Sequence, residues 1–295
     1  MYEVIPLWLI HAVSIIGLIL GSITDFKTRE VPDFLNFSLI AIGIVFGAVA
    51  SIVSWTIWPV LSSLVGLGAG YLFGAAMFYT RQWGGGDAKM LMGLGALQGL
   101  GILTIINGSI PLFATTILSI LIAGAFYGLL YAGYLIIKHW TNFKKEFKKA
   151  NREKKQIRRR VITIITVVLL ILISFLMPDR TLQTILIAMA FLLFFGVYSL
   201  VISRTIEKTC MIKMLSVGEL TEGDWIVEDV LVKGKKICGP KDLGISEKQI
   251  KELHKLNVRK VKVKEGIPFI PGFLLGYIVI IIFGNWLQAL ILALF

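Results

Sequence analysis

QWGGGDAKM, residues 82–90, is a polar break between two long apolar stretches, and it sets one carboxylate, Asp87, behind three consecutive glycines. The surroundings give the break its meaning. Of the 295 residues 56% are hydrophobic and only 16% charged, and the mean hydropathy of +0.81 exceeds what a soluble core requires. The expected class is an all-α polytopic membrane protein.

A helix needs about 20 apolar residues to cross a bilayer core. Eight stretches approach that length, at 4–24, 35–57, 59–80, 89–106, 111–137, 161–177, 181–203 and 270–294. The second and third are divided only by SWTIWPV (54–60), where Pro59 and two tryptophans mark a turn at an interface. The first has Glu3 beside it and no basic residue ahead, so it reads as a retained span and not as a cleavable signal peptide.

Lysine and arginine set the orientation, because cytoplasmic loops retain positive charge. With the N-terminus outside, the segments 25–34, 81–88 with Lys89 at the edge, 138–160 and 204–269 fall in the cytosol and hold every Lys and Arg except Arg180. The expected organisation is a membrane core at 1–137, a basic connector at 138–160, two spans within 161–203, a small cytosolic α+β domain at 204–269 and a last span at 270–295.

The connector KHWTNFKKEFKKANREKKQIRRR is read as a solvated basic segment that anchors topology and touches anionic lipid. It lacks the interleaved aromatic platforms of a nucleic-acid surface, and no nucleic-acid partner is expected. In the 204–269 segment, 226–232 and 235–238 suggest a hairpin turned at Gly234. SEKQIKELHKLN (246–257) suggests a Ser-capped amphipathic helix, and VRKVKVK (258–264) alternates as a strand. His254 has no second ligand at metal spacing, and Cys210 and Cys238 are too few for a zinc ribbon or a disulfide framework, so no metal is expected.

No expected span carries a Lys, Arg, Glu or Asp at its centre, so candidate chemistry lies at helix ends. Asp25 closes the first span within SITDFKTREVPDFLN (22–36), where Pro32 and Asp33 start the next, and Asp87 opens the fourth. Singly, each has a plain structural reading: a polar residue after a helix, and an N-cap whose charge suits the helix dipole. Together they lie on one membrane face and could converge on one water molecule. Two close carboxylates cannot both ionise, so one polarises a scissile carbonyl while the other deprotonates water. Gly84, Gly85 and Gly86 would let the backbone take positive φ and let a substrate strand approach.

These two motifs resemble those of the type IV prepilin peptidases, which include the archaeal preflagellin peptidases, in the GxGD group of intramembrane aspartic proteases. The resemblance rests on Asp25 followed by Pro32 in DFKTREVPDFLN, and on Gly84, Gly86, Asp87 and Lys89 in GGGDAKM. It covers the first four or five spans; 222–237 and 263–276 look like the C-terminal extension of some archaeal members. The resemblance implies that Asp25 and Asp87 form a catalytic dyad needing no cofactor. The implied substrates are pilin-like or flagellin-like precursors, cut between a short basic leader and a hydrophobic helix. Bacterial members often add a tetracysteine module and methylate the new N-terminus; with two cysteines here, cleavage without methylation is expected. The net charge of +12 does not attract a basic leader, so local recognition through Glu30 and Asp33 is expected.

Two other readings compete. Presenilin-like proteases also use a GxGD aspartate, but pair it with a Tyr-Asp sequence inside a span, which this chain lacks. A transporter or a membrane scaffold would leave Asp25 and Asp87 as a helix tail and an N-cap.

Overall fold

A computed structural model describes residues 4–232 and 234–294. The chain forms two compact units, one of Met1–Tyr131, Val217–Val258 and Glu265–Phe295, the other of Ala132–Ser216 and Arg259–Lys264.

The first unit begins with three helices of 22 residues each: α1 (Leu7–Thr28), α2 (Asp33–Ser54) and α3 (Trp58–Tyr79). Each is long and apolar enough to cross a membrane. Pro32 stands just before α2 and Pro59 in the first turn of α3, where a missing N–H costs no helical hydrogen bond. Helix α4 (Gly85–Gln98) follows, then the short α5 (Ile102–Ile106) and α6 (Leu112–Lys138), whose residues to Tyr131 belong to this unit.

Helix α4 differs from the expected span at 89–106. It has 14 residues and ends at Gly99, which takes φ +68. At 1.5 Å per residue it reaches only about 21 Å, short of a bilayer core. It is surrounded by protein: Met90, Leu91, Leu94 and Leu97 are fully buried. Glycines make this enclosure possible. Gly66, Gly70 and Gly74 line one face of α3, and a Cβ on Gly70 would stand 2.8 Å from the Leu91 carbonyl oxygen. A Cβ on Gly66 would collide with the carbonyl oxygen of Gly95. Small residues at every fourth position let helix backbones approach closely where lipid supplies no hydrophobic drive.

Later in the same unit come β2 (Trp225–Ile226), the hairpin of β3 (Val230–Val232) and β4 (Lys235–Cys238), and α10 (Glu247–Lys255). The expected hairpin is therefore shorter than 226–238, because Ile226 belongs to a separate strand. The Ser246 hydroxyl accepts from the Gln249 N–H and so caps α10 as expected. Helices α11 (Ile270–Phe283) and α12 (Trp286–Leu294) meet at a bend of 58°. Asn285 pins that bend by donating to the Ile110 carbonyl at 2.6 Å, and the Trp286 indole donates to the Ser119 hydroxyl at 2.7 Å. Phe273, Tyr277 and Ile280 of α11 join Ile10, Leu18 and Met90 among the most deeply buried side chains.

The second unit holds α7 (Trp140–Arg152), α8 (Lys154–Phe175), α9 (Arg180–Ile206), and β1 (Ile212–Ser216) paired antiparallel with β5 (Lys260–Lys264). The basic connector is thus largely helical, broken at His139 and again at Glu153, where ψ is 128. Among the described residues, five helices pass the length and apolarity requirement for a membrane span: α1, α2, α3, α6 and the run Arg180–Met211. The bent pair α11–α12 brings the number to six. The structure therefore gives a mostly helical protein with five or six candidate spans and a small strand region. It gives fewer than the eight of the sequence reading because α4 is short and α8 begins among lysines and arginines.

Candidate functional site

Helix α1 continues past Asp25 and ends at Arg29, which takes φ 62 and returns its N–H to the Asp25 carbonyl at 3.1 Å. Asp25 therefore sits within the last turn, 6% exposed, and its side chain faces protein. Its Oδ2 accepts the backbone N–H of Ile270, the first residue of α11, at 3.0 Å.

Asp87 is the third residue of α4, one turn's depth from the N-cap position of its plain reading. Gly84 holds the N-cap position, and its N–H donates to Asp87 Oδ2 at 2.9 Å. This is the carboxylate half of a capping box. Gly84 is extended at φ −74 and ψ 167, and none of Gly84, Gly85 and Gly86 takes a positive φ. The expected backbone freedom is thus not used here. What Gly86 supplies is space, since a Cβ there would stand 3.1 Å from the Val31 Cβ.

That close approach joins the two sequence motifs. Val31 precedes Pro32, whose ring fixes the entry into α2, and Gly86 packs on it. Asn36, fully buried on α2, directs its Nδ2 toward the Gly86 carbonyl at 3.5 Å. Lys89 Nζ reaches Asp33 Oδ1 at 2.6 Å. Gly85 points toward Phe78 and open space. On the other side, Trp83 is 4% exposed and packs on Phe73, Phe269 and Phe273, with ring centroids 4.9–5.8 Å away. The glycine run is thereby held between the head of α2 and the head of α11.

Asp87 keeps some accessible surface, but protein encloses its carboxyl. Burial, reinforced by the charge of Asp25, pushes the carboxyl up to about 7, while the Gly84 N–H opposes the rise. The pair can therefore hold one proton near neutrality, the state that acid-base work on a bound water requires.

Of the two residues expected to recognise a leader, Asp33 is occupied by Lys89 and Glu30 is exposed. Glu30 stands near Asp224, whose carboxyl is pushed up by burial and by the charges of Glu30 and Glu265. The sequence reading missed Ile270, because a backbone N–H has no residue signature. It also missed Asp224 and Glu265, which lie far along the chain. Among the described residues, no group of three His, Cys, Asp or Glu side chains is arranged to hold a metal ion.

Residues 12–132 match the sequence model of the type IV leader peptidase family. The preflagellin peptidase of Methanocaldococcus jannaschii is 39% identical over 85 residues, which cover 29% of this chain and 36% of that protein. Those of Methanococcus voltae and Methanococcus maripaludis are 33% and 36% identical over 87 residues, each covering 30% of this chain and 37% of theirs. The matched region thus spans little more than a third of these relatives' length. The stretch that matches this family's model carries Asp25, Pro32 and the run from Gly84 to Lys89.

Proposed function

We propose that the protein is a membrane-embedded aspartic endopeptidase that removes short basic leaders from pilin-like or flagellin-like precursors at the cytosolic face. The observation that carries this reading is that Asp25, in the last turn of α1, and Asp87, in the first turn of α4, lie near enough for the charge of Asp25 to raise the Asp87 carboxyl across 62 residues of sequence. The names of the methanogen relatives support the substrate class.

In this reading a water molecule lies between the carboxyls. The ionised member takes a proton from it as its oxygen attacks the scissile carbonyl, and the protonated member donates to the carbonyl oxygen. The tetrahedral intermediate collapses as the amine leaves with a proton from the dyad. The step consumes one water and needs no cofactor or methyl donor. Gly84 and Gly85 leave room for an extended substrate strand, and Pro32 with the Lys89–Asp33 pair fixes the head of α2 against the head of α4, which carries Asp87.

The orientation counts α4 with α5 as one crossing, α8 as another and α11 with α12 as the last, giving eight crossings and an external N-terminus. A short α4 suits this arrangement because protein, not lipid, surrounds it. Leader residues are taken by Glu30 with Asp224 beside it, and Asp33 contributes when Lys89 releases it. The basic helix α7 rests on anionic lipid, and the 204–269 segment serves substrate docking.

The test is precursor shortening in membranes. Wild-type membranes are expected to shorten a pilin-like precursor, but not one altered at its leader junction. Asp25→Asn and Asp87→Asn should each abolish cleavage with expression unchanged, and full activity in either would remove the dyad.

A further inference from the structure

Arg29 lies one turn beyond Asp25 and is held firmly. Its Nη2 donates to the Tyr131 hydroxyl at 2.9 Å, and its Nε stands 3.6 Å from Glu265 Oε1. Its Nη1 is buried with no hydrogen-bond partner. Tyr127, one turn before Tyr131 on α6, is in the same condition: its hydroxyl is buried and unpartnered. The two tyrosine rings lie 6.0 Å apart. The Tyr127 ring also backs onto α11, 3.7 Å from the position of a Cβ on Gly272, two residues after the N–H donor to Asp25. Tyr127 is close enough to Asp25 and Arg29 to feel both charges.

Buried polar atoms are nearly always paired, so two orphans around one carboxylate ask for a partner that arrives later. The partner's chemistry is constrained. Nη1 can only donate, and the Tyr127 hydroxyl has a proton to give. Glu265 already balances the Arg29 charge, and Asp25 repels an incoming anion, so a neutral acceptor with two lone pairs fits best.

We propose that Arg29 Nη1 and Tyr127 Oη form a donor pair that takes a main-chain carbonyl oxygen of the substrate, at the peptide bond flanking the scissile one. This rests on the peptidase reading. The pair registers the extended substrate beside Asp25 and takes no part in proton transfer, so both residues are positioning residues. The contact is made in the ground state and in the transition state alike, and its loss should raise KM with little change in kcat.

The experiment uses the full-length protein in nanodiscs and a synthetic precursor, with a thioamide placed in turn at the peptide bond on each side of the scissile bond. Sulfur is the weaker acceptor. For the wild type, one of the two thioamides is expected to raise KM about fivefold with kcat within about twofold. Tyr127→Phe removes only the orphan hydroxyl. It should raise KM about as much on the ordinary precursor and be nearly indifferent to that thioamide. Arg29→Lys, which keeps the charge but has a single nitrogen in place of the guanidinium fork and so cannot reach the Nη1 position while it holds Tyr131, should behave likewise. A wild type that cleaves all three substrates with equal KM overturns the donor pair and leaves the peptidase reading standing. So does a Tyr127→Phe variant that responds to the thioamide as the wild type does. A wild type that cleaves none of them removes the peptidase reading, and the donor pair with it.

Discussion

The backbone N–H of Ile270 donates to the carboxylate of Asp25 across 245 positions of sequence, at 3.0 Å and out of contact with solvent. A residue outside the region shared with the leader peptidases thus holds one of the two aspartates inside it.

This bond separates two substitutions at Asp25. Asparagine keeps an oxygen for the Ile270 N–H, and alanine leaves that buried donor unpaired. Asp25→Asn should lose cleavage with a nearly unchanged melting temperature, whereas Asp25→Ala should lose cleavage and about 1–3 kcal/mol of stability. Thermal unfolding of the two variants in nanodiscs, beside a cleavage assay, checks both halves.

For Asp87 the folded protein raises the carboxyl from its ordinary 3.8 to about 7. The folded state therefore binds the proton more tightly than the unfolded chain. That contribution is complete below about pH 4 and is lost as pH rises through about 7. Asparagine does not titrate, so the melting temperature of Asp87→Asn should exceed that of the wild type by more at pH 8 than at pH 5. Equal differences at the two values would contradict the buried, proton-holding Asp87.

Cleavage by the wild type should follow the same ionisation. If Asp87 carries the shared proton, kcat/KM declines above about pH 7, approaching tenfold per unit. A profile flat from pH 6 to 9 would place the working proton elsewhere.

Two glycines of α3, two residues apart, should respond in opposite ways. A Cβ on Gly66 would meet the Gly95 carbonyl and come within 2.8 Å of the Gly99 Cα, whereas one on Gly68 would meet open space. Gly66→Ala should cost about 1–3 kcal/mol through overpacking. Gly68→Ala should be neutral or stabilise by up to about 1 kcal/mol, because alanine is the better helix former. Unfolding midpoints of the two variants measure the contrast.

Arg81 donates from Nη1 to the Pro240 carbonyl at 2.8 Å and from Nη2 to the Lys241 carbonyl at 2.9 Å. Arg81→Ala should loosen this turn and speed tryptic cleavage after Lys241 by about fivefold, read as the rate of fragment appearance. An unchanged rate would mean that other contacts hold the turn.

The features legible in the sequence were those whose chemistry conflicts with lipid. Asp25 and Asp87 stood out because carboxylates at the ends of apolar helices need a reason, and Pro32 and Ser246 because they start helices by known rules. The end of α4 at Gly99 is not legible in the sequence, because the break lies within an apolar run and hydropathy continues where the helix stops. The glycines at 84–86 were recognised as necessary for the wrong physical reason: Gly86 provides clearance from Val31, a contact that only the fold defines. Tyr127 left no trace, since an aromatic residue in an apolar span is ordinary and its orphan hydroxyl exists only in three dimensions.

The pairing of Ile270 with Asp25 also bears on inheritance. The heritable part of the proposed site is discontinuous: residues 12–132 supply both aspartates, and the head of α11 supplies the donor that anchors one of them. A chimera joined near residue 132 would transplant the recognisable motifs and strand Asp25 beside a foreign C-terminal helix. Recombination could preserve the site only by carrying both pieces together, or by finding a second helix whose first N–H falls in the same place.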